Sequence, residues 1–261
     1  MPADSAPDIT GPDITGPGIT GPGITGYVNF RDLGGHATPE GRVRTGRLFR
    51  SDSLAHVVDR DIDHLVGNLG IRTAIDLRHD VEVQDYPLDT LSAAGVHIHH
   101  IPLFDPSRPS MLPDDIASLT LAKIYRDLLE SAGTRLIDAL RVVNAELGEP
   151  LVFMCSAGKD RTGVLAALVL GLCGVDDTDI VADYAATGSA VEQIVARAGA
   201  RGSAAAAVGL EHLLYAEAEN MEGTLEWLHA TFGGFAPWAL QNGYTEPEIA
   251  ALRTTLVDTH E

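Results

Sequence analysis

Residues 151–155, LVFMC, form an uninterrupted apolar run that ends in a cysteine. Such a run is typical of a strand that is buried on both faces of a parallel sheet. The short polar loop SAGKDR follows, and apolar residues then return in TGVLAALVLGLCGV, which predicts a buried helix. A buried strand joined by a tight loop to a buried helix indicates an α/β architecture.

The same alternation of strands and helices continues along the chain. Strands are predicted at 71–77 and 95–103, a hairpin at 43–50, and helices at 59–70, 114–131, 134–147 and 176–187. Residues 188–241 are helix-prone and poor in strand signals, which predicts a helical insertion or cap. The last helix, 245–258, has Thr245 as N-cap and Glu248 three residues later, the capping-box pattern. Together these elements predict an α/β fold with a mainly parallel central sheet flanked by helices.

Residues 8–26 repeat a five-residue unit, DITGP or GITGP. Glycine and proline at this density, with isolated isoleucines between them, cannot bury a core. Residues 1–26 are therefore predicted to form a disordered tail, and residues 27–261 the folded domain. A docking segment, or modification of the threonines in the repeat, is the alternative interpretation of the tail.

The chain is strongly acidic, with 18 Lys and Arg residues against 37 Asp and Glu residues and a formal net charge of −19. A surface of this charge repels nucleic acid and anionic lipid in general, and nucleic acid is not expected as a partner. An anionic substrate would therefore need a local positive site. Of the two lysines, Lys123 and Lys159, the second lies in the loop after LVFMC.

Three features favour a cytoplasmic protein without stable membrane insertion. Two cysteines do not make a disulfide framework in a chain of this length, which favours a reducing compartment. The start of the chain lacks the pattern of a signal peptide. The apolar run at 163–175 is too short to cross a membrane and is interrupted by glycines.

The loop after LVFMC combines a nucleophile with an anion-binding site. Cys155 ends the strand, and Arg161 begins the helix, whose N-terminus adds partial positive charge. The Arg161 guanidinium can bind two phosphate oxygens, and the positive potential favours the thiolate form of Cys155. Such a thiolate can attack phosphorus and form a cysteinyl-phosphate intermediate, and Thr162 can hydrogen-bond the sulfur as it leaves. The predicted phosphate-binding residues are Ser156, Ala157, Gly158, Lys159, Asp160, Arg161 and Thr162.

The sequence CSAGKDRTG at residues 155–163 resembles the signature of the cysteine-dependent protein tyrosine phosphatases. It is most similar to the bacterial branch in which Lys-Asp precedes the arginine. The resemblance extends over most of residues 27–187 through the segments NFRDLGG, GRLFRSDSL, AIDLRHDVEV and IVADYAAT. It implies a protein tyrosine phosphatase-like domain at 27–261 that works without a cofactor or metal. The implied substrates are phosphotyrosine, phosphoserine, phosphothreonine and phosphoinositides.

The reaction also needs a general acid that protonates the leaving oxygen. The Trp-Pro-Asp tripeptide that supplies this acid in many relatives does not occur in the chain. In the bacterial branch the role is assigned to the aspartate of the loop, so the resemblance ranks Asp160 first, with Asp76 and Asp105 after it. A structural carboxylate paired with an arginine is the alternative interpretation of Asp160.

Met154 departs from the family pattern, because relatives usually have a histidine there that orients and acidifies the cysteine. Methionine has no hydrogen-bond donor, so a smaller thiolate fraction is expected at Cys155. The loop amides and Arg161 remain, and an active site is still predicted.

The site residues predict a phosphomonoester hydrolase, and the resemblance implies protein phosphoesters or phosphoinositides as its substrates. Two alternatives stay open at this point. One is a phosphatase for a small molecule, such as a nucleotide, sugar or inositol phosphate. The other is a module that binds phosphate groups without turnover.

Three further features have competing interpretations. His97 and His99 lie on one face of a predicted strand, a spacing that permits metal binding. No third ligand follows nearby, which favours a half-exposed strand. Arg31 and Asp32 can support the active site from behind, or can fix the first turn of the domain through a salt bridge. Cys173 lies in the apolar helix and is predicted to be a core residue.

Overall fold

The computed structural model describes residues 26–103, 119–200 and 213–259. Its strands are β1 (Arg31–Asp32), β2 (Ala37–Thr38), β3 (Gly41–Val43), β4 (Leu48–Ser51), β5 (Thr73–Asp76), β6 (His97–His100), β7 (Leu151–Met154) and β8 (Val257–Thr259). Five of them form the central sheet in the order β1-β4-β7-β5-β6, and β2-β3-β8 form a smaller antiparallel sheet. In the central sheet, the pairs β4–β7, β7–β5 and β5–β6 are parallel, and β1 is antiparallel to β4. The predicted mainly parallel central sheet is confirmed.

Helices flank this sheet, as the sequence predicts. They are α1 (Asp59–Ile62), α2 (Asp80–Asp85), α3 (Asp89–Ala93), α4 (Leu121–Ser131), α5 (Gly133–Glu146), α6 (Asp160–Leu172), α7 (Asp177–Ala185), α8 (Val191–Ala200), α9 (Ala218–Phe232), α10 (Phe235–Gln241) and α11 (Glu246–Leu256). A π-helical segment, Asp63–Asn68, continues α1. The capping box of Thr245 and Glu248 is present at the start of α11. None of the described helices is both long and apolar enough to cross a membrane.

The hairpin predicted at 43–50 is wrong. β3 pairs with β2 and β8, whereas β4 pairs with β1 and β7, so the two strands belong to different sheets. The reason is burial, because all four residues of β4 are buried, and Leu48 and Phe49 pack into cores on opposite faces. A strand with a core on each face belongs inside a layered sheet.

The central sheet separates two hydrophobic cores. Along β7, Leu151 and Phe153 pack into the larger core, whereas Val152 and Met154 pack into the smaller one. This alternation follows from the two-residue period of a strand. It puts Cys155, the next residue, on the side of the larger core, where α6 packs.

The segment 188–241, predicted as a helical insertion or cap, is mainly helical in its described part. Residues 201–212 lie outside the described residues. Its helices α9 and α10 contribute Met221, Leu228 and Trp238 to the larger core. α10 lies directly against Gly171 of α6, where an added Cβ would be 2.3 Å from the ring of Phe235. α9 and α10 therefore complete the larger core beside α6. Residues 1–25 of the predicted tail lie outside the described residues. Residues 114–118 of the helix predicted at 114–131 also lie outside them.

Candidate active site

Cys155 lies at the edge of the sheet where three parallel strands end. Met154, the last residue of β7, is in register with Ser51 at the end of β4 and Asp76 at the end of β5. Cys155 follows and is 1% exposed, and α6 begins at Asp160. Crevices at the carboxyl ends of parallel strands are the usual ligand sites of open α/β sheets.

Three consecutive carbonyl groups of the loop, at residues 156–158, are hydrogen-bonded to the framework behind it. The Ser53 amide donates to the first at 3.2 Å, and Asn29 Nδ2 donates to the second and third at 3.0 and 3.1 Å. A trans peptide directs its C=O and its N–H to opposite sides. The amides of residues 157–159 therefore point away from the framework. Successive N–H groups directed to one side form a site for an anion.

Gly158 lets this loop lie directly against the end of β4. Its φ of +65° is in the left-handed region, and a Cβ atom there would be 2.5 Å from the backbone of Ser51 and Asp52. A larger residue would strain the turn and clash with the strand. The Arg50 guanidinium also donates to the Gly158 carbonyl at 2.8 Å, which holds the same peptide in place.

Arg161, in the first turn of α6, is held by a carboxylate that the sequence patterns missed. Its Nη1 and Nη2 atoms donate to Glu82 of α2 at 2.6 and 3.0 Å, and Ser156 Oγ bonds the same carboxylate. Burial raises the pKa of Glu82, but the hydrogen bonds and charge of Arg161 outweigh it and lower the pKa to about 2. A guanidinium has five N–H donors, so Arg161 can bind both Glu82 and a phosphate.

The sequence does contain a signal for Glu82, but it indicates a different role. Glu82 accepts a hydrogen bond from the His79 amide at 2.7 Å, the capping-box contact of α2. One carboxylate thus caps a short helix and orients the loop arginine. Only the first role can be read from local spacing.

Asp160 lies in the first turn of α6, and its side chain is 32% exposed. Tyr125 of α4 donates a hydrogen bond to this carboxylate at 2.7 Å, and the Tyr184 hydroxyl lies 2.7 Å from that of Tyr125. Burial and the neighbouring Asp160 carboxylate raise the pKa of Tyr125 well above its usual value. The phenol therefore stays protonated and remains a donor to Asp160.

Two further residues of the loop and the start of α6, Lys159 and Thr162, are buried. Lys159 is 4% exposed, and its ammonium donates to the Leu213 carbonyl at 2.5 Å and lies 3.3 Å from Asp160. Its charge is thus directed at the chain before α9. The Thr162 hydroxyl is buried and has no hydrogen-bond partner among the described residues. The hydrogen bond predicted between Thr162 and the leaving Cys155 sulfur belongs to the second step of the reaction and stays a prediction.

Asp76, the second-ranked candidate for the general acid, forms a buried ion pair with Arg78. Its carboxylate accepts from Arg78 Nη2 at 2.7 Å, from Arg78 Nε at 2.9 and 3.1 Å, and from the Arg78 amide at 3.0 Å. Both side chains are 1% exposed. Asp105, the third candidate, lies outside the described residues.

A buried ionic cluster of Arg31, Arg50 and Asp183 lies behind the loop. Asp183 pairs with Arg31 Nε at 2.8 Å and with Arg50 Nη1. Burial raises the pKa of Asp183, but the two guanidinium groups outweigh it and hold the pKa below its usual value. Arg31 also donates to Asn29, the side chain that holds the loop carbonyls, at 2.6 Å. Arg31 thus supports the loop from behind, whereas Asp32 accepts from two glycine amides and fixes the first turn.

Comparison with known proteins agrees with this geometry. A sequence model of the tyrosine phosphatase family matches residues 22–258. This chain belongs to that family. A Cupriavidus necator protein whose name places it among the tyrosine-protein phosphatases is 35% identical over 163 residues, which cover 60% of this chain and 59% of that protein. The match thus spans less than two thirds of that relative's length.

Two other curated relatives match a larger share of their length. The triple specificity protein phosphatase PtpB of Mycobacterium tuberculosis is 32% identical over 200 residues, or 66% of this chain and 71% of that protein. A tyrosine-protein phosphatase of Nostoc commune is 28% identical over 224 residues, or 79% of this chain and 73% of that protein.

Met154, the residue that differs from the usual pattern of the family, faces away from the larger core. Its side chain is fully buried in the smaller core, and its sulfur accepts a hydrogen bond from the Leu54 amide at 3.2 Å. Met154 thus links β7 to the segment that follows β4. Cys155 packs on the opposite face, in the larger core. The contact with Leu54 uses the one hydrogen-bonding capacity of methionine, which is to accept.

His97 and His99 lie on β6 at the edge of the sheet, with exposed and half-buried side chains. The half-exposed strand expected from the sequence is confirmed. The structure also brings Glu146, the last residue of α5, close to both rings. A third group able to bind a metal is therefore present, contrary to the expectation from local spacing.

Proposed function

We propose that this protein hydrolyses phosphomonoesters through a cysteinyl-phosphate intermediate. The observation that carries the proposal is the loop geometry: Cys155 at the end of β7, three consecutive amides directed away from the framework, and Arg161 at the start of α6. Membership of the tyrosine phosphatase family supports the same reaction. The substrate class that we propose is phosphotyrosine, other protein phosphoesters or phosphoinositides. The name of the M. tuberculosis relative, a triple specificity protein phosphatase, supports the protein phosphoesters in this class.

The reaction has two steps in this proposal. In the first, the Cys155 thiolate attacks phosphorus, the bond to the leaving oxygen breaks, and Asp160 gives that oxygen its proton. The loop amides and Arg161 bind the nonbridging oxygens, whose charge they stabilise in the transition state. In the second, water attacks phosphorus, the Asp160 carboxylate takes a proton from the water, and the thiolate leaves. Inorganic phosphate is the product.

Exposure supports Asp160 over Asp76 as the general acid. A general acid must reach the leaving oxygen of a bound substrate. The Asp160 side chain is 32% exposed, whereas that of Asp76 is 1% exposed and bonded to Arg78. We also propose a cytoplasmic location, because the mechanism needs Cys155 as a free thiol and a reducing compartment keeps thiols reduced.

The test is a substrate panel with the full chain in the presence of EDTA. We expect hydrolysis of p-nitrophenyl phosphate, and higher kcat/KM for phosphotyrosine peptides, phosphoserine peptides or phosphoinositides than for nucleotide, sugar or inositol phosphates. A preference for the small metabolites would assign the protein to the small-molecule alternative. Phosphate binding with no turnover of any ester would overturn the proposed hydrolase in favour of a binding module.

Asp160→Asn should lower kcat/KM in a manner that depends on the leaving group. For phosphoserine peptides, whose alkoxide leaves poorly, we expect a loss of about 10²–10⁴-fold, since this is the range for general acid catalysis. For p-nitrophenyl phosphate, whose leaving group needs little protonation, the loss should be much smaller. The comparison variant Asp76→Asn should lower stability, because Arg78 loses its ion-pair partner, and should affect both substrates alike. Equal losses in Asp160→Asn would remove Asp160 from the role of acid.

A further inference from the structure

His97, His99 and Glu146 form a cluster at the edge of the sheet, separate from the loop. One ligand atom from each lies within 4.8 Å of the other two. His99 Nε2 is 3.6 Å from Glu146 Oε1, and the two imidazole rings are 4.3 Å apart between centroids. β5 lies between β6, which carries the histidines, and β7, which leads to Cys155.

The fold explains why these three side chains meet. Residues two apart on a strand point to the same face, so His97 and His99 are neighbours on β6. They pair with Thr73 and Ile75 of β5, and Ile75 packs into the larger core, as does α5. Glu146, at the end of α5, therefore lies over the same face as the histidines.

Two features indicate that the cluster is prepared for a ligand. His99 Nε2 is buried and has no hydrogen-bond partner among the described residues. A buried polar atom without a partner costs free energy, which a bound ion would recover. Glu146 is oriented by Thr73, whose hydroxyl donates to Oε2 at 3.3 Å, while Oε1 is the oxygen nearest to His99. Such outer hydrogen bonds orient metal-binding carboxylates.

We propose that His97, His99 and Glu146 bind one zinc ion, with water as the fourth ligand. Two imidazoles and a carboxylate suit zinc, whereas magnesium and calcium prefer oxygen ligands alone. Zinc bonds of about 2.0–2.2 Å at tetrahedral angles put ligand atoms about 3.3–3.6 Å apart. The distance between His99 and Glu146 already equals 3.6 Å, and His97 is exposed and able to rotate toward them. The ion would connect the edge strand to α5 and has no part in the proposed hydrolysis.

The test is calorimetric titration of the EDTA-treated, dialysed full chain with zinc chloride. Cys155→Ser serves as the background, so that zinc cannot bind the active-site thiol. We expect one ion per chain and a rise in Tm with zinc. His97→Gln and His99→Gln should each abolish both effects. Thr73→Val should weaken the affinity by about tenfold, since it removes only the outer hydrogen bond.

His100→Gln is the matched control, because His100 lies on the same strand and bonds the Arg78 carbonyl at 2.8 Å, away from the cluster. It should keep zinc binding unchanged. Cobalt gives an independent readout, since a tetrahedral site produces visible absorption that the His99→Gln variant should lack. Circular dichroism identifies any variant that fails to fold. Unchanged zinc stoichiometry in folded His97→Gln and His99→Gln, or no zinc binding to the background protein, would overturn the proposal and leave the proposed hydrolase untouched.

Discussion

Cys155→Ser should reduce phosphomonoester turnover to the level of the buffer while phosphate or vanadate still binds. A serine hydroxyl at this position is a poor nucleophile, because Asp160 is the protonated acid in the first step and cannot also take the serine proton. The loop carbonyls keep their bonds to Asn29 and Ser53, so the three amides and Arg161 still offer an anion site. We would measure p-nitrophenyl phosphate hydrolysis and vanadate binding for the same preparations. Mass spectrometry of acid-quenched wild-type protein should find phosphate on the peptide that contains Cys155.

The same substitution at Cys173 is the matched control. Cys173 is 4% exposed in the larger core, and burial raises the pKa of its thiol to about 12. It is therefore an inert core residue, as the sequence predicts, and Cys173→Ser should keep turnover while it lowers stability. Turnover in Cys155→Ser within threefold of wild type would exclude the cysteinyl-phosphate mechanism. Loss of vanadate binding together with turnover would mean that the loop had collapsed, and Cys155→Ala would then be the variant to compare.

The part of the site that could be predicted from sequence is the part encoded locally. The five-residue run LVFMC has the length of a buried strand, and the longer apolar run after it has the length of a buried helix, so the two runs predict β7 and α6. The loop between them contains the nucleophile, the arginine and the glycine that allows φ of +65°. All these residues lie within one short segment, so their spacing alone indicates an oxyanion site.

The residues that were missed act through contacts between distant segments. Glu82 reaches Arg161 from α2, and Glu146 reaches His99 from α5. No spacing rule connects such pairs, because the sheet order decides which chain ends meet. The hairpin predicted at 43–50 fails for the same reason: β4 pairs with β7, a strand about a hundred residues later, and local turn signals do not contain that choice.

Asp183 illustrates how a distant contact supports the loop. Its carboxylate pairs with both Arg31 and Arg50, and the side chains of all three are at most 5% exposed. Arg50 holds the Gly158 carbonyl, and Arg31 holds Asn29, which bonds two loop carbonyls. Loss of the carboxylate would remove the counter-charge that these two buried guanidinium groups have among the described residues.

Asp183→Asn should therefore lower the free energy of unfolding by about 3–5 kcal/mol, the cost of removing one partner from a buried ion pair. Urea denaturation at pH 7 measures this loss. Asp176→Asn, at the exposed start of α7, the helix that contains Asp183, is the control and should change stability by less than about 0.5 kcal/mol.

The stabilisation by the Asp183 carboxylate should depend on pH. Because the pKa of Asp183 is lower in the folded than in the unfolded protein, this stabilisation is complete above the unfolded pKa of about 3.9 and is lost as the pH falls toward the folded value. The stability difference between wild type and Asp183→Asn should accordingly shrink below about pH 4. A difference that is small at pH 7, or that stays constant through the acid range, would mean that the carboxylate charge does not stabilise the two arginines.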